Sequence, residues 1–475
     1  MNATPLLIRN ATGMLTGLPG AAARTVGSNE ARELLIEGGV ITAMGRDLPA
    51  PPGARVLDAT DCVIYPGWVN THHHLFQSIL KGIPAGINQT LTPWLTSVPY
   101  SYRRHFDGET IRVAATIGMV ELLLSGCSTI ADQHYIYYPG MPFDSSQILF
   151  DVADKLGLRY MLLRGASTRT REIEAGIPDY LKPESYDEIA ADMTRLAALY
   201  NDPGPRPRHR VAIAPPTPLV SLHKEELKPL AALARKLGMR MHAHLSESVT
   251  YMEQAAAMHG MLPLQFVAEH DWVGPDVYYA HLAHLAPEEM RILAQTGTGM
   301  AHCPQSNARV ASGIAPAPAL ARMGVPVSIG VDGAAANEAC DMIAETHFCW
   351  LVHRAHAGAQ SWPRPQGMGE AGADAVTVED VVHWATAGGA KILGFDGVGT
   401  LEVGAAADIA VYGLDDPRYC GLHDPVIGPV VAGGRPRLKW LLVGGEVRVE
   451  NDEIPGIDLA ELAAKARAAV RALNL

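Results

Sequence analysis

The sequence predicts an α/β chain, a (β/α)8 barrel with a small β-domain built from both ends, and three observations carry that expectation. Eight short apolar runs alternate with amphipathic segments between residues 62 and about 335, and similar hairpin patterns stand near the two ends. Residues able to bind metals or move protons recur where the apolar runs stop, the face on which barrel enzymes build their sites. The expected boundaries are 1–66 for the first part of the β-domain, 67–397 for the barrel, and 398–475 for the returning strands and a terminal helix.

The elements follow in order. Residues 33–44, ELLIEGGVITAM, and 440–449, WLLVGGEVRV, each read as an apolar strand, a Gly-Gly turn and an alternating strand, which is a hairpin pattern. With LLIRNAT, RVLDATDCVIYPG and ADIAVYGL they form the β-domain, and the middle of the chain is an insertion in it. The eight barrel strands are CVIYPGWVNTH, STIADQHY, RYMLLRGAS, RVAIAPPT, MRMHAHLSE, VYYAHLAH, GMAHCPQS and PVSIGVDG. Between them lie GETIRVAATIGMVELLLSG, SYDEIAADMTRLAALY, KEELKPLAALARKLG and APEEMRILAQTG, amphipathic segments with glycine near their ends, as helix stops often have. A doubly wound open sheet is the structural alternative. Irregular insertions at 83–105 and 168–185 are expected over the barrel mouth, and LAELAAKARAAVRAL reads as a terminal surface helix.

Composition narrows the function. The 475 residues carry Lys+Arg 38 against Asp+Glu 50, a net charge of -12, too acidic for a nucleic-acid binder that must neutralise phosphates. No apolar run reaches the roughly 18 residues of a membrane span, and the first residues lack the pattern of a signal peptide, so a cytoplasmic chain without a membrane partner is expected. Cysteines 62, 127, 303, 340, 349 and 420 form no C-x-x-C pair, so they read as buried thiols rather than a disulfide framework or cysteine zinc site. Association with further copies of the chain is left open. H-E-x-x-H, P-C-x-x-C, G-x-S-x-G and Walker A motifs are missing. The one G-x-G-x-x-G match, at 367–372, follows SWPRPQ instead of a strand and reads as a loop.

The histidines are more informative. Alternation along a strand lets His72 and His74 point at one ion while His73 points away. Joined by a strand-five histidine and Asp332 at the same end of the barrel, they make three imidazoles and a carboxylate with an open position, a catalytic Zn²⁺ or Fe²⁺ site. Spacing alone does not choose between His242 and His244, nor does charge assign Glu247.

PGWVNTHHH, SGCSTIAD, HAHLSE, AHLAHL, HCPQSN, GVDGAAAN, ATAGGAKILG and VGTLEVGAAADIAVY together resemble the amidohydrolase superfamily, in its cytosine, guanine and S-adenosylhomocysteine deaminase branch. The resemblance covers nearly the whole chain in the right order. It implies a distorted (β/α)8 barrel with a β-sandwich from both termini, and one divalent metal, Zn²⁺ expected and Fe²⁺ the alternative. RVAIAPPT lacks the strand-four bridging residue of binuclear members. His72, His74, His244 and Asp332 match the ligand positions, and Glu247, three residues after His244, matches the catalytic glutamate. His281 matches the strand-six histidine, and His284 is expected to be structural.

The implied reaction replaces a ring amino group by a carbonyl and releases ammonia. Asp332 takes a proton from the attacking water, Glu247 protonates the ring nitrogen, and His281 holds the attacking oxygen. Gln77, Trp94, Tyr135, Arg164, Arg169, His302 and Asn307 are expected to face the mouth and bind a flat, carbonyl-rich bicycle. RGAS and the NQTLTPWL segment are most similar to pterin and 8-oxoguanine deaminases, so a pterin such as isoxanthopterin, or an oxidised purine, is the expected substrate. Guanine or 8-oxoguanine deamination and triazine-type hydrolysis are the alternatives.

Overall fold

A computed structural model describes residues 4–27, 30–170, 182–360 and 376–473. The G-x-G-x-x-G segment and residues 171–181 of the second insertion lie outside the described residues.

Eight parallel strands form the barrel: β1 (Trp68–Asn70), β2 (Cys127–His134), β3 (Arg159–Arg164), β4 (His209–Ile213), β5 (Arg240–Leu245), β6 (Val277–His281), β7 (Gly299–His302) and β8 (Val327–Ile329), each paired with the next. The Thr71 N–H donates to the Ile329 carbonyl at 3.2 Å and the Asp332 N–H to the His72 carbonyl at 2.9 Å, which draws β8 against the continuation of β1. The strands are buried almost throughout because helices cover their outer faces, which is why they read as apolar runs rather than alternating ones. Helices such as Gly108–Leu124, Ser145–Leu156, Tyr186–Tyr200 and Lys224–Lys236 follow the strands. Local chemistry fixes their starts: Asp107 with Thr110 and Ser185 with Glu188 form reciprocal caps that satisfy first-turn N–H groups. No helix among the described residues is long and apolar enough to cross a membrane.

Two further sheets lie at the ends of the chain. One orders 40–45, 33–37, 6–9 and 55–58; the other orders 446–450, 438–443, 409–413, 62–66 and 13–14, so it draws on both termini. They share a core that includes Ile8, Leu34, Ile41, Ile64, Ile409 and Leu442.

The run expected as the first barrel strand divides between two sheets. Residues Cys62–Pro66 pair with Ile409–Gly413, and only Trp68–Asn70 enter the barrel. The division falls at Gly67, where a Cβ would lie 2.5 Å from Ser128 Oγ, so only glycine lets the chain pass this close to β2. Trp68 Nε1–H donates to the Tyr412 hydroxyl at 2.7 Å, and the buried Arg159–Asp408 ion pair at 2.8 Å makes a second tie from barrel to sheet.

Of the two insertions, residues 91–95 form a short helix, and Leu91, Trp94 and Tyr100 lie over the barrel mouth.

Candidate active site

The chain leaves β1 as Thr71-His72-His73-His74. Alternation sends His73 away from its neighbours, towards Cys340, whose Sγ lies 3.3 Å from His73 Nε2. Opposite, Gly330 allows the end of β8 to lie against His72; a Cβ there would come within 2.8 Å of the His72 backbone nitrogen.

One ligand atom from each of His72, His74, His244 and Asp332 lies within 4.8 Å of the others. Nε2 of His74 is 3.1 Å from Nε2 of His244, and Nε2 of His72 and of His74 are each 3.3 Å from Asp332 Oδ1. The other nitrogen of every ring is engaged. His74 Nδ1–H donates to the Gln133 carbonyl at 2.8 Å and His244 Nδ1–H to the Pro216 carbonyl at 2.7 Å. His72 Nδ1–H donates to His242 Nε2 at 2.9 Å, and His242 Nδ1–H to the Tyr278 carbonyl at 3.1 Å. These partners set the tautomers so that three Nε2 lone pairs converge, the arrangement in which a second layer of acceptors orients metal-binding imidazoles.

The residues fit a divalent cation. His72 Nε2 is buried with no hydrogen-bond partner, a costly state for a lone pair unless a cation takes it. Burial, reinforced by the His72 charge, lowers the His74 imidazole to about 4, and burial drives His244 well below its usual value, so both stay neutral at physiological pH. Burial works to raise Asp332, but the rings of His72, His281 and His74 crowded around it favour its charged form and hold it well below the usual carboxylate range. Its Oδ2 accepts from Ser306 Oγ–H at 2.6 Å and its Oδ1 from the Gly333 N–H at 2.7 Å.

Glu247 and His281 complete the cluster. Glu247 Oε2 lies 3.7 Å from His281 Nε2, which is itself 3.9 Å from Asp332 Oδ2. Burial in the cavity wall raises the Glu247 carboxyl to about 7, against the pull of His281, so it can carry a proton near neutrality. His281 is fixed through Nδ1, 2.8 Å from Asn307 Oδ1. Ser246, His281, Leu282 and Asp332 all have positive φ, at 51°, 72°, 48° and 61°, a backbone conformation that non-glycine residues adopt at a cost and that here turns the ends of β5, β6 and β8 into the site.

A cavity of about 400 Å³ opens above these groups, lined by His74, His244, Glu247, His281 and Asp332 together with Gln77, Trp94, Tyr135 and Arg169. Gln77 Nε2–H donates to the Tyr135 hydroxyl at 3.4 Å, and Trp94 Nε1–H to the Ala335 carbonyl at 3.2 Å, which pins the indole as a wall.

Three residues expected at the mouth do not line this cavity. Arg164 turns to the helix layer, where it is buried against Glu184 at 2.5 Å and Asp192 at 2.9 Å, with its guanidinium 4.1 Å above the Tyr137 ring. His302 points to the helix Met342–Gln360, its Nε2 2.9 Å from His353 Nε2. Asn307 is occupied in holding His281. Ser306, Ser312 and the Pro216 carbonyl, not singled out from sequence, hold Asp332, Glu247 and His244. Ser306 lies inside the HCPQSN motif; the other two carry no local signature.

The Amidohydrolase family model matches residues 63–446, and the chain belongs to that family. Within it the chain falls in the branch of hydrolytic deaminases. An isoxanthopterin deaminase from an unknown prokaryotic organism is 55% identical over 98% of this chain and 97% of its own length. An 8-oxoguanine deaminase from Pseudomonas aeruginosa is 35% identical over 94% of this chain and 96% of its own. The crystal structure of an atrazine chlorohydrolase from Arthrobacter aurescens, complexed with zinc, superposes with a TM-score of 0.86 at 28% identity, covering 98% of this chain and 100% of that one. Family, side-chain cluster and a zinc-bound relative together assign this chain a divalent metal.

Proposed function

We propose that this chain hydrolyses the exocyclic C–NH₂ bond of a pterin such as isoxanthopterin, releasing ammonia and leaving a ring carbonyl. The observation that carries the reading is Glu247, a carboxyl raised to about 7 inside a cavity shared with His281 and Asp332. Identity of 55% with an isoxanthopterin deaminase supports the substrate.

His72, His74, His244 and Asp332 would hold a divalent ion, Zn²⁺ in this reading, which would supply acidification of the attacking water, from a pKa of 15.7 towards roughly 7. Asp332 Oδ2, steadied by Ser306, accepts a proton from the attacking water while Glu247 donates one to the ring nitrogen beside the amino-bearing carbon. His281, oriented by Asn307, holds the attacking oxygen. As the new C–O bond becomes a carbonyl, its proton returns to Glu247, and Asp332 delivers its proton to the departing amine. The C–NH₂ bond breaks, ammonia leaves, and both carboxyls are restored. Trp94 and Tyr135 offer faces to a flat bicycle, and Gln77 and Arg169 offer donors to its carbonyl oxygens. We further infer a cytoplasmic chain, a reading that five buried free thiols and one exposed support.

A panel of isoxanthopterin, 8-oxoguanine, guanine, cytosine and a chlorotriazine, followed by ammonia and chloride release, tests the proposal. Isoxanthopterin is expected to give the highest kcat/KM. The 35% identity with an 8-oxoguanine deaminase makes 8-oxoguanine the next candidate. Chloride release without ammonia from any ring amine overturns the reading.

A further inference from the structure

A second group of metal-binding side chains lies outside the centre described above. His302 closes β7, and Cys349 and His353 stand four residues apart on the helix Met342–Gln360, a spacing that puts both on one face. One ligand atom from each of the three lies within 4.8 Å of the others, and all three residues are buried. The His302 and His353 Nε2 atoms are 2.9 Å apart, close to the 3.1 Å between the His74 and His244 Nε2 atoms in the first cluster. Two neutral rings in such contact share one hydrogen between two nitrogens, and His302 Nδ1, also buried, has no hydrogen-bond partner. Both nitrogens of His242, by contrast, are engaged by His72 and Tyr278. One turn before Cys349 on the same helix, the buried carboxyl of Glu345 accepts from the Gln305 backbone N–H at 2.9 Å and side-chain amide at 2.7 Å.

We propose that His302, Cys349 and His353 bind a second metal ion, of the kind that prefers thiolate and imidazole donors, Zn²⁺ or Cu⁺. Two imidazoles and one thiolate match that class and not the hard, oxygen-seeking cations. On binding, the Cys349 S–H bond gives way to a sulfur–metal bond and the thiol proton leaves to solvent. The hydrogen between the two Nε2 atoms moves to a ring Nδ1, which frees both lone pairs. The ion ties β7 to the helix that packs on Pro304–Arg309, the segment carrying Ser306 and Asn307. It therefore supports the first cluster and takes no part in the chemistry.

The first cluster offers only nitrogen and oxygen donors, so a thiolate signature reports on the second alone. Full-length protein stripped of metal and reloaded with Co²⁺, standing in for Zn²⁺, is expected to hold two equivalents and to show a thiolate-to-cobalt charge-transfer band. Cys349→Ser should lose the band and one equivalent, His353→Gln should weaken both, and His72→Ala should keep the band while losing the other equivalent. A parallel anaerobic titration with Cu⁺ against a competing chelator separates the two ions. One equivalent of Co²⁺ without the band, together with no Cu⁺ uptake, overturns the proposal, as does a band that survives Cys349→Ser. Should the variants not fold, wild-type stoichiometry and spectrum decide the matter.

Discussion

His242 stands directly behind His72, accepting its Nδ1–H at 2.9 Å and donating in turn to the Tyr278 carbonyl. The strand-five histidine nearer the strand's start thus orients a neighbour, while His244 meets His74 across the cluster. Replacing His242 by Phe keeps a ring in place but removes the acceptor, so His72 is free to adopt the other tautomer. Metal affinity should fall about 10- to 100-fold, as for other partners that orient metal ligands. Chelator competition measures it, and unchanged affinity would show that packing alone orients His72.

Glu247 lies within hydrogen-bonding reach of Ser312 and faces His281, so its removal leaves the four converging donors intact. Glu247→Gln should lower kcat by roughly 10²- to 10⁴-fold while metal content stays at the wild-type level. Ammonia release and elemental analysis on the same preparation check both halves. Near-normal turnover would remove Glu247 from the chemistry.

Arg164 and Arg169 are expected to part company. Arg164→Ala leaves Glu184 and Asp192 without their buried partner and should cost about 3 kcal/mol of stability, with KM of the folded enzyme little changed. Arg169 lines the cavity, so Arg169→Ala should raise KM roughly 10- to 100-fold, the loss of a charged hydrogen bond, with little change in melting temperature. Thermal unfolding beside steady-state kinetics separates the two, and a reversed pattern would return Arg164 to the substrate.

Asp132 on β2 predicts a pH effect on stability. Burial raises its carboxyl to about 7, although the Leu75 N–H at 2.8 Å and the Tyr160 hydroxyl at 2.9 Å pull the other way. The folded value lies above the unfolded one, so the folded chain keeps a proton that the unfolded chain releases between about pH 4 and pH 7. Stability from this group is therefore complete below that window, falls by up to roughly 1.4 kcal/mol per pH unit within it, and stays reduced above it. Asp132→Asn removes the slope, so the variant should gain on wild type as pH climbs from 4 to 7. Parallel melting-temperature curves would refute this.

Much of the barrel was legible because parallel strands, covered on both faces, leave uninterrupted apolar runs that a helix does not imitate at that length. The division of residues 62–70 between two sheets was not, since apolar character continues across Gly67 and only the proximity of Ser128 reveals the break. Alternation was enough to separate His73 from His72 and His74. It could not say whether Arg164, last in β3, turns inward or towards the helices, because Glu184 and Asp192, which draw it outward, come 20 and 28 residues later. Asn307 and His302 stand in one motif yet serve His281 and His353, a distinction that depends on which helix packs behind β7.

The strand that runs through Gly67 into the histidine segment also bears on biosynthesis. Residues 62–66 hydrogen-bond to 409–413, which leave the ribosome some 340 residues later, so the nascent chain must hold His72 and His74 without their flanking sheet for most of translation. A polypeptide halted short of residue 409 therefore carries all four converging side chains, the last of them Asp332, but lacks the strand that anchors the segment leading into His72 and His74.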